Sequence, residues 1–205
     1  MINRLLFLII LFASIQELSG QRVGYGLVSR LDFYSRYSNP DDNIASSSAG
    51  SALINLGLGP KIWVGSENFS VSAEGAFVFS PFALSTGDFK GLGALALPVL
   101  GRLNFGGLSN LNKEGKFGFS IGAGYQWTRT EFFGLQSSFE EQGVQRNYFR
   151  NLIGEIGYGY GMGGFSFGIY GRYGRDGDQR SNVFSLGMIV NLNSKLLKVT
   201  TDPEF

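Results

Sequence analysis

From Val23 onward, apolar positions alternate with small or polar ones at a period of two, the spacing of a strand whose two faces meet different surroundings. In the first segment Val23, Tyr25, Leu27, Leu31, Phe33 and Tyr37 share one face, and Gly24, Gly26, Arg30, Asp32 and Arg36 the other. Ile54, Leu56, Leu58, Ile62 and Val64 oppose Asn55, Gly57, Gly59 and Lys61, and Phe69, Val71, Ala73, Phe77 and Phe79 oppose Ser70, Ser72, Glu74 and Ser80. Leu95, Leu97, Val99, Leu103 and Phe105 then oppose Ala94, Ala96, Arg102 and Asn104, the weakest alternation of the set. Phe117 to Trp127 follows the same rule with Gly118, Ser120, Gly122, Gly124 and Gln126 on its small face. Leu152, Ile156, Tyr158 and Tyr160 oppose Asn151, Glu155, Gly157 and Gly159, while Phe165, Phe167, Ile169 and Tyr173 oppose Ser166, Gly168, Tyr170 and Arg172. Phe184, Leu186, Met188, Val190 and Leu192 against Ser185, Gly187, Asn191 and Asn193 make the eighth predicted strand.

The connections alternate as well. Compact ones fall at Gly65 to Asn68, Gly106 to Gly115 and Gly161 to Gly164. Long polar ones fall at Ser38 to Gly50, Pro81 to Gly91, Arg129 to Asn147 and Gly174 to Asn182. Short turns at one end and long loops at the other are the habit of a transmembrane up-and-down barrel, with short turns in the periplasm. A secreted sandwich or a soluble lipocalin-like barrel competes with it. The greasy face decides between them: it is bulky, whereas the other face is dominated by Gly, Ser and Ala, small enough to fill a narrow eight-stranded lumen. Aromatics also gather in two belts near the strand ends, as interfacial girdles do. The predicted fold class is therefore all-β, an eight-stranded antiparallel transmembrane barrel, and an even strand number places both termini in the periplasm.

Composition adds exclusions. Of 205 residues, 31 are Gly and only 16% are charged, and the net charge of +1 gives no attraction for nucleic acid. With no Cys there are no disulfides, and with no His the commonest general base and transition-metal ligand are missing. No catalytic, cofactor-binding or metal-ligating residue is expected, and a non-enzymatic protein is. Glu140 and Glu141 read as a solvated loop pair. Gly159 to Gly164 matches G-x-G-x-x-G but joins two strands and opens no helix, which argues against a dinucleotide site.

Residues 1–20 carry Arg4, an apolar stretch from Leu5 to Ala13 and the small pair Ser19-Gly20, the layout of a signal peptide. An uncleaved anchor is the alternative, although the apolar stretch is short of the roughly 20 residues a spanning helix needs. The expected division is signal peptide 1–20, barrel 21–194 and a periplasmic C-terminal tail 195–205.

Across the mature chain the pattern resembles the small outer-membrane β-barrel proteins, such as the OmpA transmembrane domain and OmpX. The most specific element is the last strand, where Ser185, Gly187, Val190 and Leu192 look like the signal by which the outer-membrane insertion machinery recognises its clients. In that family the strand usually ends the chain on an aromatic residue, whereas here Ser194 to Phe205 continues beyond it. The resemblance implies a Gram-negative outer membrane, contact with its lipid and lipopolysaccharide, and handling by the insertion machinery.

Charges on the small face must be paired once inside the lumen. Counted from the short turns, Lys61, Glu74, Arg102 and Glu155 are expected in one layer, with Arg30, Asp32 and Arg172 higher in a second cluster. Such a network serves either a selective pore or a plug, and eight strands leave little open space. Two function classes follow: an accessory or structural interaction subunit of an outer-membrane assembly, or a small ion or solute channel. A surface adhesin using the long loops is a variant of the first. Candidate contacts for an unidentified protein partner are Phe132, Phe133, Leu135 and Phe139 in the third long loop and Leu196, Leu197, Val199 and Phe205 in the tail. Burial of the loop residues against the barrel rim, or of the tail on the barrel wall, is the alternative.

Overall fold

The computed structural model describes residues 22–38, 49–85, 91–109, 115–133, 147–176 and 181–197. They form nine strands: β1 (Arg22–Ser38), β2 (Ala49–Gly65), β3 (Phe69–Gly75), β4 (Phe77–Ser85), β5 (Leu92–Gly106), β6 (Lys116–Phe133), β7 (Phe149–Met162), β8 (Phe165–Arg175) and β9 (Asn182–Leu197). Every pairing is antiparallel, and both β3 and β4 lie between β2 and β5. The two therefore act as halves of one stave. Since β1 pairs with β2 on one side and with β9 on the other, eight staves close into a barrel with no free edge.

The break between β3 and β4 has a local cause. Extending the register Lys61↔Glu74 and Leu58↔Phe77 sets Pro60 opposite Gly75, and extending Gly75↔Val99 sets Pro98 opposite Ala76. A proline on each neighbouring strand withholds an N–H from the same stretch of ladder. Ala76 keeps one bond there, donating its N–H to Pro98 O at 3.0 Å.

The barrel is inside out relative to a soluble fold. Ile62, Phe117 and Ile156 are each more than 60% exposed on the outer wall, while Arg30, Lys61, Arg172 and Asn151 are fully enclosed in the lumen. An apolar wall of this extent is incompatible with water and matches the lipid-facing band of a membrane barrel. Toward the short turns the wall carries linked aromatic contacts, from Phe69 through Phe105 to Phe119 and from Phe117 through Tyr160 to Phe167. No helix among the described residues is long and apolar enough to cross a membrane; here the strands do so.

The short turn after β7 is two residues long, Met162 pairing with Phe165. Gly163 and Gly164 both take positive φ, 63° and 95°, as a tight hairpin matched to strand twist requires. The G-x-G-x-x-G stretch is thus a β-hairpin end.

Several expectations are corrected. β4 continues to Ser85, so Pro81 to Leu84 belong to a strand: Phe82 lies on the outer wall and Ala83 in the lumen. A register shift in β1 between Asp32 and Tyr34 reverses the faces beyond it. Tyr37, expected outside, is buried in the lumen, and Arg36, expected inside, is exposed. β6 reaches Phe133, which brings Phe132 and Phe133 out of the expected loop onto a strand end. β9 runs to Leu197, past the expected boundary at 194.

Candidate functional site

The lumen is filled by one polar cluster drawn from five of the staves. Period-two alternation aims Arg30 of β1, Glu74 of β3, Arg102 of β5, Glu155 of β7 and Arg172 of β8 inward, and all five are buried. Glu155 is the hub. Its Oε2 accepts from Arg30 Nη1 at 2.9 Å and from Arg172 Nε and Nη2 at 3.0 and 2.7 Å, and its Oε1 accepts from Arg102 Nη2. Glu74 Oε1 accepts from Arg102 Nη2 at 2.7 Å and from Arg30 Nη2.

Three guanidinium groups thus face two carboxylates, leaving one positive charge in excess. Neutral groups take up some of the remaining donors, while Arg30 Nε and Arg102 Nε are buried without an acceptor. Arg172 Nη1 donates to Gln126 Oε1 at 3.0 Å, and Arg102 Nη1 to Ser120 Oγ at 3.3 Å. The Arg30 and Arg172 guanidinium carbons lie 5.0 and 5.3 Å from the centre of the Tyr170 ring. Its hydroxyl donates to Asp32 Oδ1.

The expected two layers are one. Glu155 and Arg172 are direct cross-strand partners, so they share a height, and Arg30 reaches down from β1 into the same layer. Lys61 sits opposite Glu74 and donates from Nζ to Asn191 Oδ1 at 3.2 Å, toward the short turns. Asp32 joins the cluster through Tyr170 and lines the space above it. Gly122 lies in register between Arg102 and Glu155. Arg102 crosses over this small position to reach Glu155; a Cβ at 122 would lie 3.2 Å from Gly101 O and in ordinary contact, 3.6 Å, with Arg102 Cβ and Cγ.

Above this layer lies a cavity of about 30 Å³ lined by Asp32, Ser35, Asn55, Ser80, Gln126 and Arg172 among others, room for about two waters. Tyr37, Ala52, Ala83 and Ala94 pack together at its upper end. Among the described residues no group of three or more His, Cys, Asp or Glu side chains could hold a metal ion.

The other candidates are dispersed. Ser185 and Gly187 face the lumen and Val190 and Leu192 the outer wall, as alternation requires. Phe132 and Phe133 are exposed and in edge-to-face contact, with Phe133 also edge-on to Phe79 at 6.0 Å. Leu196 and Leu197 belong to β9. Leu135, Phe139, Val199 and Phe205 lie outside the described residues. Sequence reasoning missed Gln126, Ser120 and Asn191 as partners of the charges, although their inward parity was visible.

Fold and lumen together define a small transmembrane β-barrel whose interior is packed with side chains. No family model and no curated protein sequence matches the chain. Among solved structures, Ail, the attachment invasion locus protein of Yersinia pestis, aligns at 14% identity with a TM-score of 0.41, over 82% of this chain and 98% of that one. Ail in complex with the heparin analogue sucrose octasulfate aligns at 15% identity and a TM-score of 0.37, over 82% and 98% of the two chains. The outer membrane protein OprG of Pseudomonas aeruginosa aligns at 16% and 0.40, over 83% of this chain and 94% of its own. Likeness at this level carries no inference about activity, and the barrel assignment rests on the closed strand pairing and the inverted burial.

Proposed function

We propose that the protein is a non-enzymatic, closed outer-membrane barrel that serves as an accessory or structural interaction subunit of an outer-membrane assembly. The sealed lumen carries this reading. With Arg30, Glu74, Arg102, Glu155 and Arg172 interlocked across the bore, solute has no open path, and the function falls to the outer surfaces. A charged cross-brace also replaces the apolar core that a lipid-facing wall cannot supply. Both termini are periplasmic in this reading, residues 1–20 are removed as a signal peptide, and Ser185, Gly187, Val190 and Leu192 present the insertion signal. The surfaces offered to a partner are the long loops, the wall near Phe132 and Phe133, and the tail. Purification in mild detergent should recover a stoichiometric partner, and deletion of Val199 to Phe205 should leave a heat-modifiable barrel in the membrane without it. Recovery of the barrel alone under every mild extraction condition would count against the reading.

A further inference from the structure

We infer that the outer wall over β6, β7 and β8 is a binding site for a phosphorylated, multiply acylated glycolipid of the outer leaflet, the lipid A class. The inference rests on the proposed orientation, with the long connections outside. Three adjacent strands each set one arginine on the wall beside those connections. Thr128 and Thr130 flanking Arg129, Phe149 and Asn151 flanking Arg150, and Gly174 preceding Arg175 are all buried, so the three arginines point outward. Arg150 pairs in register with Trp127, and Arg175 with Leu152, which makes Arg129, Arg150 and Arg175 successive diagonal neighbours about 7–8 Å apart at the backbone.

Glu131 lies two positions from Arg129 and Asp176 directly follows Arg175 in sequence. Among the described residues none of the three arginines forms an ion pair. Arg150 lies over the Tyr125 ring at 5.1 Å and Arg129 over the Phe132 ring at 5.6 Å, while Arg129 Nε is buried without an acceptor. Guanidinium groups held on aromatic faces at a membrane boundary are poised for a doubly charged acceptor that can take two parallel N–H bonds, such as a phosphate monoester.

An apolar furrow descends from the lowest of the three, Arg175. Arg175 lines a hollow of about 850 Å³ whose other walls include Leu152, Tyr173 and Phe184. Its floor is low because small residues face outward there: Gly101, Ala123 and Gly154 stand side by side in register. A second hollow of about 500 Å³, bounded by Phe33, Tyr158 and Ile169, shares Ile156, Gly171 and Leu186 with the first and prolongs it. From Arg175 to Ile169 the furrow descends by roughly 15 Å, about one leaflet of the hydrocarbon core. Cation above and acyl-sized trough below is the complement of a single amphiphile standing upright in the outer leaflet. A glycerophospholipid would present only one phosphate to three arginines spread over three strands, which favours the diphosphorylated headgroup.

The test uses the mature barrel in detergent micelles, with bound lipid counted by native mass spectrometry and checked by Trp127 fluorescence. Diphosphoryl lipid A should be retained one per barrel, at least tenfold more tightly than its dephosphorylated form or than phosphatidylglycerol. R150Q/R175Q should erase that preference. G154L, at a position where an added Cβ meets nothing within 4 Å, should lose both forms of lipid A by filling the furrow. A123L fills the same furrow from the next strand and replaces it should G154L not fold. R36Q, on β1, should bind as wild type. Equal retention by wild type and R150Q/R175Q, full retention by both furrow variants, or phosphatidylglycerol matching lipid A would each overturn the site. Because micelles have no sidedness and the partner is scored separately by copurification, failure of this site is distinguishable from failure of the proposed orientation or of the interaction role.

Discussion

Arg30 Nη1 donates to Glu155 Oε2 at 2.9 Å across the lumen, joining β1 to β7 although the two residues are 125 positions apart. Such a contact exists only once the barrel has closed, because the staves between them must already be in register. Glu155 thereby holds three arginines from three strands, and its loss leaves Arg172 without a carboxylate and Arg30 and Arg102 sharing Glu74 alone. Removing one member of a buried charged group typically costs about 3–5 kcal/mol, and lumen water lowers the figure.

The expected order of destabilisation is therefore Glu155→Gln above Glu74→Gln, with Ser72→Ala far below both. Glu155 meets three guanidinium groups and Glu74 two, whereas Ser72 accepts only from Asn104 Nδ2, at 3.0 Å. Heat-modifiability on gels, read as the temperature at which the folded band disappears, ranks the three variants. Equal temperatures would show that the cluster does not brace the barrel.

Replacing Gly164 by Val should impair folding, while Gly154→Ala should not. Gly164 has φ 95° and a Cβ there would lie 2.7 Å from Asn193 O, whereas Gly154 has nothing within 4 Å. Forcing a β-branched residue into such a conformation costs about 1–3 kcal/mol. The yield of folded barrel on refolding into detergent, compared between the two variants, is the measurement.

Orientation is open to direct labelling. Single Cys residues at Ser47, Ser137 and Gly177 should react with an impermeant reagent on intact cells, and those at Ser66 and Thr201 should not. The reverse pattern would turn the barrel over and place the arginines of β6 to β8 in the inner leaflet.

The strands, their faces and the membrane-barrel class were legible in the sequence because a one-sided environment writes a period-two code, and Gly or Ser opposite Phe or Leu is easily read. The inward charges were legible for the same reason. Their heights were not. Counting residues from the turns ignores the stagger between staves and the reach of an arginine, so Arg172 was set above Glu155, its direct cross-strand partner. The face reversal at Tyr37 was hidden too, since a one-residue bulge leaves no composition signal and Tyr37 continued the apolar alternation. Pro60 and Pro98 were visible individually, yet their convergence on Gly75 and Ala76 depends on pairing that only the closed sheet defines.

The purified protein should be electrically silent in planar bilayers. The layer formed by Arg30, Glu74, Arg102, Glu155 and Arg172 crosses the bore, the cavity above it is about 30 Å³, and Tyr37 packs with Ala52, Ala83 and Ala94 beside that cavity. An ion would have to part at least two buried salt bridges to pass, against an attraction that shielding from bulk water strengthens. Trimming the brace should change this: Arg172→Ala enlarges the cavity beside Gln126 and Asp32 toward Glu155 and removes two hydrogen bonds from Glu155 Oε2, so that brief, irregular openings are expected from the variant alone. Steady ohmic conductance in the wild-type protein, abolished by blocking Arg172, would instead make the cluster a selectivity ring and the protein a channel.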